Sequence, residues 1–523
     1  MKLYPFVLAM TLVVPLAWGV SGTAIAENSL GLENSLGLFD QQADIGAPPA
    51  AGSAHFDRTS GTYRVVGGGR DIWAAGDDFH LVARSATGDV TVAANLAWVD
   101  GSTDPHSKAG VMIRQSLAPE APYADVVVHQ NGHIALQYRE IAGGQTYEIE
   151  ALMTGPRRVQ LEREGDYVFM SVAGPDGVLY HAGGGFHLKF DGPYLVGLAV
   201  CAHSDTGTKT VDFSNVDMTV PSPLPAITPK TKTESTLETI DIASAYRAVV
   251  YHTIDHIEAP NWLPDGKTLL FNSGGRLYTL PLSSGVPALL DTGTRHTLNN
   301  DHGLSPDGRW LAISDQTSDD HQSRVYVLPV TGGEPRQITA QGSSYWHGWS
   351  PDGKTLAVIA NRGGDYDVYA IPAAGGAETR LTTAPGLDDG ADYAPDGQWI
   401  YFNSMRSGNM KIWRMHPDGS DPQQVTFDDG YRDWFAHPSP DGKWIAFVSF
   451  GTDVAVGDHP SNKDVVLRLM PTAGGAPTIL TRLFGGQGTM NVPSWSPDST
   501  RLAFVSYRPV PSSGTSSALR SPM

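Results

Sequence analysis

The chain holds a single cysteine, Cys201, among 523 residues. An intrachain disulfide framework and any cysteine-based zinc site are therefore excluded. Cys201 ends the apolar run Tyr194-Leu-Val-Gly-Leu-Ala-Val-Cys201, which reads as a buried core position and not as a reactive thiol. Basic residues are the next shortage. Lys and Arg number 36 against 55 Asp and Glu, a formal charge of −19. A chain of that sign repels phosphate backbones, so no nucleic-acid partner is expected. Beyond the first residues no apolar run is long enough to cross a bilayer, so no membrane span is expected. The strings of common chemistry are missing too: there is no Gly-x-Ser-x-Gly, no His-Glu-x-x-His and no phosphate loop. Any site must be assembled by the fold.

Glycine (58) and proline (37) are plentiful instead, and aromatics are spread along the whole length. That composition fits a turn-rich, all-β chain, and the length suits two domains. Residues 1–26 read as a secretory signal peptide: Lys2, an apolar stretch to about Val20 broken by Pro5 and Pro15, and the cleavage site Ala24-Ile25-Ala26. No cysteine follows to take a lipid, so a free periplasmic or secreted protein is expected. A duplicated hexapeptide, Glu27–Leu32 and Glu33–Leu38, then leads into the first strand.

Residues 27–219 alternate short β-type runs with Gly-, Asp- and Asn-rich turns, at the spacing of a β-sandwich of jelly-roll type. Residues 220–233 carry four prolines with Thr and Lys and read as a semi-rigid linker between independently folding units. From there an internal repeat governs. Pro-Asp-Gly recurs at Pro264, Pro306, Pro351, Pro395 and Pro440, with a sixth copy, Pro497-Asp-Ser499. Proline presets the turn, Asp bonds its own backbone and Gly relieves the exit. Spacings of 42 to 45 residues, and 57 for the last, accommodate four strands per unit, the period of a propeller blade. The sixth unit supplies only two strands before a Pro/Ser-rich tail, 508–523, expected to be disordered. Its missing strands are found at 236–242 and 246–251. A six-bladed β-propeller over 234–507, closed by N- and C-terminal strands, is the expectation, since closure removes a free sheet edge.

Trp349-Ser-Pro-Asp-Gly-Lys-Thr-Leu-Ala357, followed by Asn361-Arg-Gly-Gly-Asp-Tyr-Asp-Val-Tyr369, resembles the repeat of TolB-like propellers. Asp104-Pro-His-Ser-Lys-Ala-Gly-Val-Met-Ile-Arg114 resembles concanavalin-like and laminin G-like sandwiches, which accompany carbohydrate-active modules. The first resemblance implies a propeller; TolB itself is a periplasmic scaffold whose N-terminal domain is α/β, and a sandwich stands in that place here. Oligogalacturonate lyases share the propeller type and use a metal held by His and Gln, but their ligand motif has no residue-by-residue match in this chain.

In a propeller the innermost strands line the channel, and the residues that enter them form its mouth. Those positions carry His252, Asp255, His256 and Glu258; Asn299, Asn300, Asp301 and His302; Tyr345, Trp346 and His347; Asp388, Asp389 and Asp392; Arg432, Asp433, Trp434 and His437; and Gln487 and Asn491. Such a set suits a polar, ring-bearing ligand. The competing reading is that these groups only bind water and satisfy strand ends. The leading expectation is an exported carbohydrate-binding and carbohydrate-active protein, a glycoside hydrolase or polysaccharide lyase acting on an oligo- or polysaccharide. His302, His347, Asp389 and Glu258 would do the acid–base work, Trp346 and Trp434 would stack on sugar, Arg432 would hold a uronate, and Tyr345, Asn300 and Asn491 would also bind substrate. His256, His302, His347 and His437 form a candidate shell for one divalent metal ion, with no other cofactor expected. The excess in the longest spacing, Gly451–Lys463, reads as a lid carrying His459 or as a plain surface excursion. The alternative function is a non-catalytic TolB-like periplasmic scaffold that binds envelope proteins.

Overall fold

Strands and turns account for the ordered elements, as the glycine- and proline-rich sequence requires. The computed structural model describes residues 36–101, 104–155 and 158–510, and every regular element among them is a β-strand. The expected leader, most of the hexapeptide duplication and most of the Pro/Ser-rich tail lie outside the described residues.

Two sheets form the N-terminal part. One has seven strands in the order Leu179–His187, Tyr167–Ala173, Arg158–Glu164, Val90–Trp98, Lys209–Thr219, Thr62–Gly67 and Ser53–Asp57. The other runs Gln41–Ile45, Gly76–Ala86, Tyr194–Cys201, Lys108–Arg114, Tyr123–His129, Ile134–Arg139 and Tyr147–Glu150, and then continues into later strands. Valines and leucines of both sheets, among them Val92, Leu161, Val111 and Val126, share one apolar cluster. Cys201 is buried, and burial pushes its thiol up to about 12, as befits an inert core residue.

The repeat region folds into five separate four-stranded antiparallel sheets, the arrangement of propeller blades. Their innermost strands are Ile257–Trp262, Leu298–Leu304, Ser344–Trp349, Asp388–Tyr393 and Tyr431–Pro438. Pro-Asp-Gly works as the sequence suggests: Oδ1 of Asp265, Asp307, Asp352, Asp396 and Asp441 each accepts the backbone N–H two residues on. The tryptophans that precede it lock blades together, with Trp349 Nε1 donating to the Gly303 carbonyl (3.1 Å) and Trp495 Nε1 to that of His437 (2.8 Å).

The sixth unit departs from expectation. Thr233–Asp241 does pair antiparallel with Arg501–Pro509 across nine residues, so the two ends of the repeat region meet, and the pairing extends past the expected boundary at 507. Yet these strands form no separate sheet. Arg247–Thr253, next to Thr233–Asp241, also pairs in parallel with Tyr147–Glu150, which merges them into the N-terminal eleven-stranded sheet. Trp495 contributes only an isolated bridge to Leu502.

The linker expected to isolate two units is docked as well. Asn462 Nδ2 donates to the carbonyls of Thr228 and Thr231. Across the junction Tyr167 and Phe169 pack with Leu237, Phe484 and Tyr507, Tyr167 donates to Asp464 at 2.7 Å, Tyr246 donates to Glu150 and Arg508 pairs with Glu162. Parallel strand pairing, apolar packing and ion pairs together make this more than a tether.

Candidate functional site

All five innermost strands carry a β-bulge at the same level. The register with the second strand shifts between Glu258 and Asn261, Leu298 and His302, Trp346 and Gly348, Asp389 and Asp392, and Trp434 and His437. A bulge re-aims side chains and leaves backbone groups unpaired. Neighbouring blades satisfy several of those groups: Asn272 Nδ2 donates to the Asn299 carbonyl (2.6 Å), Ser314 Oγ accepts from Trp346 N–H (2.8 Å) and Asn403 Oδ1 accepts from Phe435 N–H (3.1 Å). Ala259 and Phe435 sit in these bulges at φ +56°, and Gly390 at +62°. A Cβ on Gly390 would fall 2.2 Å from Asn403 Oδ1, so glycine is required there. Neighbouring blades thus help hold the left-handed backbone of these bulges in place.

The bulges open on a cavity of about 370 Å³, lined by Asn299, Asn300, Asp301, Gln316, Tyr345, His347, Ile359, Tyr366, Leu387, Asp389, Phe435, His459, Gln487 and Asn491. Eight of the expected mouth positions thus come together: Asn299, Asn300, Asp301, Tyr345, His347, Asp389, Gln487 and Asn491. His459, near the end of the long insert, lines the same cavity, its ring 4.2 Å from that of Trp434, whereas Gly451 and Asp453 of that insert line a separate pocket beside His187. Glu258 stands beside the mouth cavity, accepting from Asn300 Nδ2 at 3.4 Å.

The electrostatics centre on His347. Its Nε2 lies 3.2 Å from Asp389 Oδ1, with both side chains mostly buried. Burial opposes charge on His347, but the Asp301 and Asp389 carboxylates outweigh it and raise its pKa. Burial likewise works against ionised Asp389, and the hydrogen bond and charge of His347 outweigh that and lower its pKa. Asp301 differs: burial pushes it up to about 7, His347 pulls against the rise, and Asp389 adds to it. Asn299 Nδ2 donates to Asp301 Oδ2 at 2.8 Å. The two carboxylates thus favour the charged form of His347, and His347 favours ionised Asp389, while burial holds the neighbouring Asp301 up at about 7. A carboxyl whose folded pKa exceeds its unfolded value binds extra protons when folded, so its share of stability falls as pH rises from about 4 to 7. Asp301→Asn removes that loss. Its stability relative to wild type is expected to grow by about 1–3 kcal/mol between pH 4 and pH 8 in denaturant titrations; an unchanged difference would show that Asp301 ionises normally.

Other expected residues are placed elsewhere. Trp346 and Trp434 are 1% and 0% exposed. Trp346 is wedged against Gly303 of the preceding blade, where a Cβ would meet its ring at 2.0 Å; Trp434 belongs to the core beneath His459. Neither presents a face to a sugar. Arg432 donates to the Gly451 carbonyl at the base of the insert and does not line the cavity. His302 is fully enclosed, and burial lowers its pKa to about 3. The four-histidine metal shell does not assemble. His256 is half-exposed on the rim, stacked on Tyr507, His347 is engaged by Asp389, and His437 lies 3.1 Å from Asp392. Among the described residues, the grouping with metal-ligand spacing is instead His129, His133 and Glu148, in the N-terminal part. Gln316, Ile359, Tyr366, Leu387 and Phe435 were not anticipated; they lie on a second strand, the start of a third strand, loops and a bulge, where the repeat gives no positional signal.

Comparison with known proteins agrees with this architecture. The TolB beta propeller domain family matches residues 347–479. An uncharacterized protein of Agrobacterium fabrum is 50% identical over 277 residues, which is 53% of this chain and 93% of that protein. A solved structure from Agrobacterium tumefaciens, provisionally named TolB, is also 50% identical, covers 53% of this chain and 99% of that one, and superposes with a TM-score of 0.51. TolB from Acinetobacter baumannii, at 15% identity, covers 63% of this chain and 79% of that one with a TM-score of 0.37, too weak a likeness to support an argument. Half-identity across nearly all of a relative, joined to the repeat and the blade sheets, establishes that this chain belongs to the family of TolB-like β-propeller proteins.

Proposed function

We propose that the channel mouth binds a neutral, hydroxyl-rich ligand, an oligosaccharide, and that Asp301 exchanges a proton with it beside the His347–Asp389 pair. One observation carries the reading: the carboxamides of Asn299, Asn300, Gln316, Gln487 and Asn491 share a single cavity with those three groups. Carboxamides both donate and accept, which matches vicinal hydroxyls. Tyr345, Tyr366 and Phe435 supply apolar and aromatic lining. No lysine or arginine is among the described lining residues, and a uronate would meet Asp389 without a guanidinium to offset it. Hydrolysis of a neutral glycan therefore fits better than uronate elimination. Asp301 is the group suited to give or take a proton near neutrality, and Asp389 the one that stays anionic.

The same proposal includes the architecture. The two N-terminal sheets act as a concanavalin-like sandwich over about 27–219, and Thr233–Asp241, Arg247–Thr253 and Arg501–Pro509 act as the sixth, closing blade. Export to the periplasm or beyond rests on residues 1–26 as a leader. A second reading is favoured by family membership: a non-catalytic envelope scaffold that binds a protein segment at the same mouth. A panel of neutral and acidic oligosaccharides, assayed for binding and cleavage with and without chelator, tests both. Binding of neutral glycans supports the proposal. Failure of every glycan, with capture of a peptide at the mouth, replaces it with the scaffold.

A further inference from the structure

The hairpin that joins Tyr123–His129 to Ile134–Arg139 brings two imidazoles side by side. His129 N–H donates to the His133 carbonyl (2.7 Å), Gly132 N–H donates to the His129 carbonyl (2.9 Å), and the two rings lie 4.9 Å apart at 72°. Glu148, on the adjacent strand Tyr147–Glu150, reaches the same point. One ligand atom from each of His129, His133 and Glu148 lies within 4.8 Å of the others.

The surroundings of these atoms matter more than their proximity. His129 is 6% exposed, and its Nε2 has no protein partner. His133 Nδ1 is held by Glu150 Oε1 at 3.2 Å, while Nε2 faces Glu148 Oε1 at 3.0 Å. Glu148 Oε2 is held by the Gln137 amide. Each carboxylate or ring of the His133–Glu148 pair thus has one atom fixed by a neighbour and the other turned to the common centre. Carboxylate–histidine pairs of this kind orient the ring and raise its strength as a ligand. Lys108, the nearby cation, is engaged by Asp71 (2.8 Å) and Gln137 (3.1 Å). His133 and Glu148 side chains keep 19% and 11% exposure, which leaves an entry path.

We propose that His129, His133 and Glu148 bind one divalent cation of zinc type, with water in the remaining position. Two imidazoles and one carboxylate suit a borderline ion better than Ca²⁺ or Mg²⁺, which take oxygen shells. Glu148 lies on the strand that pairs with Arg247–Thr253, and Glu150 of that strand also accepts from Tyr246. The ion therefore ties the hairpin of Tyr123–His129 and Ile134–Arg139 to the strand Tyr147–Glu150.

The test uses the full chain, stripped with EDTA, desalted and titrated calorimetrically with ZnCl2. One equivalent is expected to bind, to raise the melting temperature, and to do both in His347→Gln as in wild type. Glu148→Gln, a conservative change at a partly exposed position, and His129→Ala are each expected to weaken binding at least tenfold and to abolish the thermal shift. Glu148→Gln should melt with metal-free wild type, which separates ligand loss from misfolding. Absence of zinc binding overturns the proposal. So does undiminished binding in Glu148→Gln, or loss of binding in His347→Gln alone, which would place the ion at the propeller mouth.

Discussion

Deleting residues 233–253 is expected to leave insoluble protein, and Glu238→Ala alone to lower the unfolding free energy by about 3–5 kcal/mol. Thr233–Asp241 is paired on both edges, with Arg501–Pro509 on one side and Arg247–Thr253 on the other. Removing both strands leaves Arg501–Pro509 and Tyr147–Glu150 with unpaired edges, and such edges recruit other chains. Glu238 is the polar pivot of this seam. It is fully buried and takes two hydrogen bonds from Arg247, at 2.9 and 2.8 Å, and another from Ser506. Alanine there strands the Arg247 guanidinium, itself 1% exposed, without a counter-charge. The midpoint of guanidinium denaturation reads the effect. A soluble, cooperatively melting deletion product would show that the chain ends are not what closes the propeller.

The propeller was legible because its turns repeat. Pro-Asp-Gly marks each blade on the face away from the site, and a two-residue hydrogen-bond pattern within a turn depends on those residues alone. The level at which side chains enter the mouth was legible for the same reason, by counting back from the turn. Residues reached by that count, Asn299, Asn300, Asp301, Tyr345, His347, Asp389, Gln487 and Asn491, share one cavity. The count misjudged Trp346 and Trp434, which flank the bulges: one residue more or less in a bulge exchanges the cavity for the space between blades, and no repeat signal reports it. Gly303, conspicuous only because Trp346 fills the space above it, was the available clue. The metal shell failed for a different cause. His256, His302, His347 and His437 occupy similar places in sequence, but pairing with Asp389 and Asp392 and stacking on Tyr507 hold three of them apart. The sheet shared through Tyr147–Glu150 and Arg247–Thr253 could not be read at all, since a four-residue edge strand has no motif that names its partner in another unit.

Asp389→Asn is expected to weaken oligosaccharide binding at the mouth at least tenfold, about 1.4 kcal/mol, and to reduce any cleavage by about 10²–10⁴. The isosteric amide keeps the side chain's volume and an acceptor for the Gly390 N–H (2.7 Å), so the bulge is retained while the anion is lost. His347→Ala is the less useful probe. His347 is 5% exposed and faces two carboxylates, and its removal leaves buried negative charge unbalanced, so stability and binding should fall together. Asn300→Ala complements Asp389→Asn by deleting a hydroxyl-binding amide with little charge effect, and its loss should appear in affinity more than in turnover. Asp352→Ala is the control on the opposite face. Its carboxylate accepts from Ser350 Oγ (2.7 Å) and Lys354 N–H (3.0 Å) in an exposed turn, so it should lower stability by about 1 kcal/mol and leave the mouth unaltered. Calorimetric titration with the strongest ligand of the glycan panel, alongside denaturant melts of all four variants, separates the outcomes. Retained affinity and turnover in both Asp389→Asn and Asn300→Ala would remove the mouth from the chemistry and leave its polar lining with a purely structural part, that of satisfying bulged strand ends around the channel.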